Sequence, residues 1–268
     1  MSVRPAAVAA LFYPGDAQEL SSAVDTFLAA AASQASAIGA WPRAVIVPHA
    51  GYIYSGQTAA YAYQAIRGAS FSRVALFGPA HRVGFYGMAV PEADKFETPL
   101  GAIPINREGL REALNHPDVQ SSDLAQAQEH SLEVQLPFLQ SVLGHFELLP
   151  VCVGMVDPEA VAEVMSLFLE DPDTLVVISS DLSHFHDYES ARAIDHATVN
   201  SILSMHGPIG HEQACGATGI NALLLLAEKQ GLVPRLLDYR NSGDTAGDKL
   251  RVVGYASIAW FDQECLNE

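Results

Sequence analysis

Arg43-Ala44-Val45-Ile46-Val47-Pro48-His49-Ala50-Gly51-Tyr52 is an apolar, β-branched run that stops at a Pro-His-Ala-Gly turn. Val45, Ile46 and Val47 show no alternation with polar residues, the pattern of a strand covered on both faces. His49 therefore sits at the carboxyl end of a buried strand. The same grammar recurs in Arg73-Val74-Ala75-Leu76-Phe77-Gly78-Pro79-Ala80-His81 and in Thr174-Leu175-Val176-Val177-Ile178-Ser179-Ser180-Asp181-Leu182-Ser183-His184. In open α/β sheets, ligands collect in the crevice outside the carboxyl ends of the strands, so His49, His81, Asp181 and His184 form one candidate site. A lone histidine beside a turn is more often a surface or turn residue. Three buried-type strands with the same ending favour the site.

The chain has 268 residues, 49% of them hydrophobic, enough to bury one large core, and no linker-like stretch divides it. The expectation is a single α/β domain, a mostly parallel mixed sheet flanked by helices, with an unstructured acidic tail over 262–268. No apolar run reaches membrane-spanning length, and the apolar start lacks the basic region of a signal peptide beyond Arg4. A soluble, cytoplasmic protein is expected. A net charge of −17, from 14 basic and 31 acidic side chains, opposes binding to nucleic acid or anionic membranes. Three scattered cysteines, Cys152, Cys215 and Cys265, read as reduced thiols, and there is no Cys-x-x-Cys pair.

Along the chain, Leu20, Val24, Phe27, Leu28 and Ala31 form one stripe of a helix over 17–35, broken by Gly39 and Pro42. Residues 52–66 read as the return helix, with Gly68 as its stop. Between 88 and 106, short apolar pieces separated by prolines and glycine suggest a hairpin laid over the carboxyl edge of the sheet. Leu132, Leu136, Leu139 and Leu143 share a helical face, which Pro137 is expected to kink. A strand over 146–153 precedes a helix capped by Asp157 with Pro158 in its first turn. Helices follow over 188–203 and 220–229, the second stopped by Gly231, and strands over 235–240 and 250–261 complete the sheet.

Cys152 is mid-strand and reads as inert core. Cys215 precedes a helix in a glycine-containing turn, where the positive end of the helix dipole favours thiolate. It reads equally as a metal ligand or nucleophile and as a small buried residue packed where glycines admit close contact. Glu129 and Glu133 lie one helical turn apart and are expected to face the same way, with His130 pointing off that face. This excludes a His-Glu-x-x-His metal helix. Glu129 reads either as a carboxylate orienting a ligating histidine or as one serving the helix dipole.

Pro48-His49-Ala50-Gly51-Tyr52, Gly78-Pro79-Ala80-His81, Glu129-His130-Ser131-Leu132-Glu133, Ser179-Ser180-Asp181-Leu182-Ser183-His184 and Cys215-Gly216 with Gly219-Ile220 together resemble the motif set of the Memo family, called AmmeMemoRadiSam system protein B in bacteria and archaea. The resemblance covers nearly the whole chain. It implies a fold similar to the class III extradiol, LigB-type, non-haem iron dioxygenases, with His49, His81 and Cys215 as metal ligands. Asp181 and His184 are then catalytic residues beside the metal, with Glu129 and His130 as further catalytic candidates. Where the dioxygenases have a glutamate ligand this chain has Cys215, and a sulfur donor shifts the plausible ions to iron, copper or zinc, iron first. A metal-dependent oxidoreductase acting on an unidentified small molecule is the leading expectation. A binding module with a vestigial cleft, rimmed by Phe12, Tyr54 and the region of Tyr52, and a metal-dependent hydrolase compete with it. The family's bacterial name also implies an association with radical-SAM and AMMECR1-like proteins.

Overall fold

The computed structural model describes residues 2–35 and 40–266. In chain order they form β1 (Val3–Arg4), α1 (Ala17–Ala35), β2 (Ala44–Val47), α2 (Tyr52–Ala65) and β3 (Arg73–Pro79). There follow β4 (Met88–Val90), β5 (Lys95–Thr98), β6 (Gly101–Pro104), α3 (Arg107–Ala113), β7 (Val119–Ser121), α4 (Asp123–Ala127), α5 (His130–Glu133) and α6 (Leu136–Leu143). The remainder is β8 (Glu147–Val153), α7 (Pro158–Leu169), β9 (Thr174–Ser179), β10 (His184–His186), α8 (Tyr188–Leu203), α9 (Ala217–Gln230), β11 (Leu232–Asn241) and β12 (Val252–Asp262).

The unalternating apolar runs are the centre of the main sheet, whose order is β10-β12-β2-β9-β3-β8-β4-β7, with β11 also paired to β12. β2, β9, β3 and β8 are mutually parallel, whereas β12 and β4 run antiparallel on either side of them. Every residue of β2 and β9 is buried, as strands covered on both faces require. Helices supply that cover: Leu20, Val24, Leu28 and Ala31 of α1 are fully buried, α1 packs on α2, and α7 packs on α9. The molecule is a single-domain α/β protein. Among the described residues, no helix is long and apolar enough to cross a membrane.

β9 lies between β2 and β3, so the turns after β2 and β3 flank the end of β9. That order sets the site. Histidines some thirty residues apart in sequence are brought to either side of Ser179 and Asp181 by crossover helices, whose length a parallel pair requires.

Several local expectations are corrected. The 88–106 excursion splits: β4 joins the main sheet, whereas β5 and β6 form a separate three-stranded sheet with β1. That hairpin lies by the amino ends of β3 and β8, not the carboxyl edge; Ile105 bridges Leu148, and Asn106 hydrogen-bonds Glu147 at 2.5 Å. Pro137 sits in the first turn of α6, so the expected kinked helix is two separate helices. Asp157 caps α7 by position but its side chain makes no capping bond. The chain after Phe261 completes β12 at Asp262 and makes a 3-10 turn over Gln263–Leu266, where an unstructured tail was expected. Gly39 and positions 267 and 268 lie outside the described residues.

The amino-terminal segment is tied down by one carboxylate. Glu133, fully buried, accepts from the amides of Ala7 and Val8 at 2.8 and 3.0 Å and from the Tyr13 hydroxyl at 2.5 Å, and pairs with the buried Arg4 guanidinium. Arg4 in turn donates to the carbonyls of Gln126 and Glu129. Removing one partner of such a pair strands the other's charge, which costs about 3–5 kcal/mol. Glu133→Ala is expected to lower the unfolding free energy by about that amount in urea titration, and a loss below 1 kcal/mol would show that the pair carries no such load.

Candidate metal centre

Three hydrogen bonds fix the protonation pattern of His49. The Ser179 hydroxyl, at the end of β9, donates its only proton to the Ser131 carbonyl at 2.5 Å. It accepts from the Gln135 side-chain amide at 2.8 Å, an orientation set because the same nitrogen donates to the Pro48 carbonyl at 3.0 Å. Its remaining contact, His49 Nδ1 at 2.8 Å, must therefore be a donor. His49 is the Nδ1–H tautomer, with a lone pair on Nε2. Burial, and then the neighbouring histidines His81, His130 and His184, hold its pKa well below 6.5, so the ring is neutral.

His81 is governed the same way from another element. Glu129, the N-cap of α5, accepts from the His81 amide at 2.6 Å, from His81 Nδ1 at 3.0 Å and from the Ser131 amide at 2.9 Å. Burial pushes the Glu129 carboxyl up, but these three donors outweigh it and bring its pKa to about 2. With the Glu129 carboxylate on Nδ1, Nε2 is the His81 ring nitrogen left for another partner. Glu129 and Glu133 do not face the same way as expected: the first serves His81, the second Arg4.

His130 turns inward. Its ring centroid is 4.6 Å from that of His81 and 5.4 Å from that of His49, and one ring nitrogen of each of the three lies within 4.8 Å of the others. Burial holds the His130 pKa down at about 4 against the attraction of Glu129. Its Nδ1 is buried without a hydrogen bond, 3.4 Å from Glu129 Oε1. No local signal reveals this inward turn. It is imposed by the bonds that staple α5 to the strand ends, Ser131 Oγ to the Pro79 carbonyl at 2.9 Å among them. Gly78 admits that approach, since a Cβ there would lie 2.7 Å from Ser131 Oγ.

Cys215 stands on the other flank of His49, its Sγ 3.3 Å from His49 Nε2 and 3.3 Å from the Asp181 amide that donates to it. It is brought there because Gly216 lets the start of α9 approach β9; a Cβ at Gly216 would lie 2.7 Å from the Ser179 carbonyl. The helix dipole does not win at this thiol. Burial first, then the Asp181 carboxylate, push its pKa up to about 12, so the sulfur is a protonated thiol and not the thiolate that its helix-entry position favours. Cys152 is buried core, as read.

Asp181 accepts from the His49 amide at 2.7 Å, and burial raises its pKa against the pull of His184 and of the His49 and Ala50 amides. His184, on β10, acts electrostatically on both Asp181 and His49 but lies outside the close nitrogen triad. Its loop is held from below by Asp195, fully buried, which accepts from the Ser183 amide at 3.0 Å and the Tyr239 hydroxyl at 3.1 Å. Ser179, Gln135 and Asp195 were not singled out in the sequence. The one available signal was the pair of serines ending the otherwise apolar β9 run.

Two cavities large enough for a small molecule reach these residues. One of about 660 Å³ is lined by Phe12, Tyr54, His130, Asp181 and Arg251, and the other, of about 420 Å³, by His81, Phe85, Met155 and Cys215. Tyr52, expected at an aromatic rim, is core, its hydroxyl bonded to the Val134 carbonyl at 2.8 Å.

Comparison with known proteins agrees with the motif set. The family described as Memo-like protein matches residues 4–259. This chain belongs to the Memo family. Proteins described as MEMO1 family proteins from Aquifex aeolicus, Methanosarcina acetivorans and Thermoplasma volcanium are 36%, 35% and 34% identical to it. These alignments cover 97%, 96% and 96% of this chain and 100%, 99% and 97% of the relatives. Among solved structures, an uncharacterised protein of Escherichia coli K12 is similar in fold, with a TM-score of 0.51 and 12% identity over 80% of this chain and 98% of that one.

The Glu129 carboxylate has a pH signature. Its folded pKa of about 2 lies below the ordinary 4.5, so the ionised form stabilises the fold fully above pH 4.5, and this contribution is lost as pH falls toward 2. Urea midpoints measured across that window are expected to fall more steeply for the native chain than for Glu129→Gln. Parallel curves would remove Glu129 as the ionised partner of His81.

Proposed function

We propose that this Memo-family protein holds a single metal ion between His49 and His81, with Cys215 as third donor, and uses it as an oxidoreductase acting on a small molecule. The observation that carries the reading is the control of both Nδ1 atoms: Ser179 engages that of His49 and the Glu129 carboxylate that of His81, leaving Nε2 of each ring as the atom open to an ion, at strand ends on either side of β9. Metal-ligating histidines are typically fixed in this way. The sulfur is at a fitting distance from His49, since two donors bound to one tetrahedral ion at the usual lengths lie about 3.5 Å apart and Cys215 Sγ is 3.3 Å from His49 Nε2; it stands outside the three-histidine group whose donor atoms all lie within 4.8 Å, so sharing an ion with His81 requires its side chain to move.

A donor set of two imidazoles and one sulfur suits iron, which we place first, or copper or zinc, and disfavours hard ions such as magnesium. Such an ion supplies Lewis acidity and, if iron or copper, a route for electrons. The chain's own residues do the rest. Cys215 gives up its proton on loading, so ion uptake releases acid. His130, held neutral and lining the larger cavity, accepts a proton from a bound molecule; His184 with Asp181 moves protons at the site's other margin.

The compact nitrogen triad favours a second reading, in which His130 and not Cys215 is the third donor. One experiment separates them. After reconstitution without oxygen using Fe(II), Cu(I) or Zn(II) in parallel, the native chain is expected to carry one ion, and His49→Ala, His81→Ala and Cys215→Ala less than a tenth of that. His130→Gln and His184→Ala are expected to keep most of it. An empty His130→Gln with a loaded Cys215→Ala would establish the triad, and no stoichiometric ion in the native chain would end the metal reading. Dioxygen consumption by the iron-loaded chain distinguishes oxidative from hydrolytic use.

A further inference from the structure

The two cavities at the centre share no lining residue and differ in chemistry. The larger carries Asp181, Asp248 and Arg251. The smaller is walled by Phe85, Val153 and Met155, has His81, Cys215 and His211 among its polar groups, and includes no Lys, Arg, Asp or Glu in its lining. In a chain with 45 charged side chains counted as 14 basic and 31 acidic, a cleft of about 420 Å³ without one is a selective surface. A charged organic molecule entering it would find no Lys, Arg, Asp or Glu to offset its lost hydration, whereas an apolar one would gain from leaving water.

Its wall is built by the backbone. Met155 donates its amide to the Phe85 carbonyl and Gly154 donates to Gly87, both at 2.9 Å, which folds the 85–87 turn onto the end of β8. A Cβ on Gly154 would lie 2.4 Å from the Phe85 carbonyl and 2.8 Å from its ring, so the wall closes this tightly only over glycine. His211 is tied to Thr218, Nε2 to Oγ1 at 3.2 Å, at the edge nearest Cys215 in sequence. The volume is in the range that small-molecule sites occupy.

We infer that the Phe85–Met155 cleft is a second ligand site, distinct from the charged cavity, that binds an uncharged, largely apolar molecule of one- or two-ring size against His81 and Cys215. In terms of the proposed metal centre, which this inference deepens, the charged cavity receives a polar reactant and this cleft an apolar one. The binding itself needs no ion.

The test uses the full chain kept free of metal, so that its outcome is independent of metal loading. Calorimetric titration with 1-naphthol is compared with 1-naphthalenesulfonate, which keeps the rings and adds a fixed charge. Naphthol is expected to bind at least tenfold more tightly than the sulfonate. Met155 is 57% exposed, so Met155→Asp and Met155→Lys are tolerated by the fold, and both are expected to weaken naphthol at least tenfold with an unchanged melting temperature. Arg251→Glu, in the other cavity, is expected to shift it less than twofold. No naphthol binding up to millimolar concentration, equal binding of the sulfonate, or loss through Arg251→Glu in place of the Met155 variants would each overturn the inference. Failure of metal reconstitution with naphthol binding intact would overturn only the metal reading.

Discussion

The Ser179 hydroxyl holds this site in register. It has one proton and two acceptor positions, all three are used, and each partner comes from a different part of the chain: Ser131 from α5, Gln135 from the start of α6, and His49 from the turn after β2. Because Ser179 is fully buried, an unmade bond there is not replaced by water. The strand ends and the α5–α6 region are thus locked by the same atom that decides which nitrogen of His49 carries its hydrogen. Tyr63 extends the lock into α2 by donating to Gln135 Oε1 at 2.7 Å, which leaves the amide a single orientation. Stability and ligand chemistry are set by one network.

The buried strands were legible because their composition has a single reading: β2, β3 and β9 are unbroken apolar runs, and each delivers its terminal residues to the same edge. The long amphipathic helix α1 was legible to its last residue by its stripe. What escaped was whatever depends on partners distant in sequence. Placing β9 between β2 and β3 is a choice among topologies that no local pattern encodes. The direction of His130 is set by staples to strand ends some fifty residues earlier and later, and α5, at four residues, is too short to show a periodicity. The prolines between 88 and 106 announced an excursion but not which end of the sheet it would cover.

At Cys215 two local rules pointed in opposite directions. Its place before α9 argues for a stabilised thiolate, and its neighbours argue against one: desolvation of the charge, reinforced by the Asp181 carboxyl, outweighs a partial dipole. Which rule prevails depends on burial, which the sequence Cys-Gly-Ala-Thr-Gly does not disclose. At Glu129 desolvation is opposed by three donors and loses. Each group receives three hydrogen bonds, and what separates them is the neighbouring charge: Asp181 works against the thiolate at Cys215, whereas His81 favours the carboxylate at Glu129.

The contact between the Cys215 thiol and His49 Nε2 also bears on how the protein is made and maintained. A sulfhydryl proton directed at an imidazole lone pair is a closed pairing, so neither group is left wanting inside the fold. Chain assembly then does not wait for a guest, unlike small zinc modules that stay unfolded until their ion arrives. Under the metal reading proposed above, synthesis and ion loading would be separable events, and the metal-free chain would be expected to fold and purify intact.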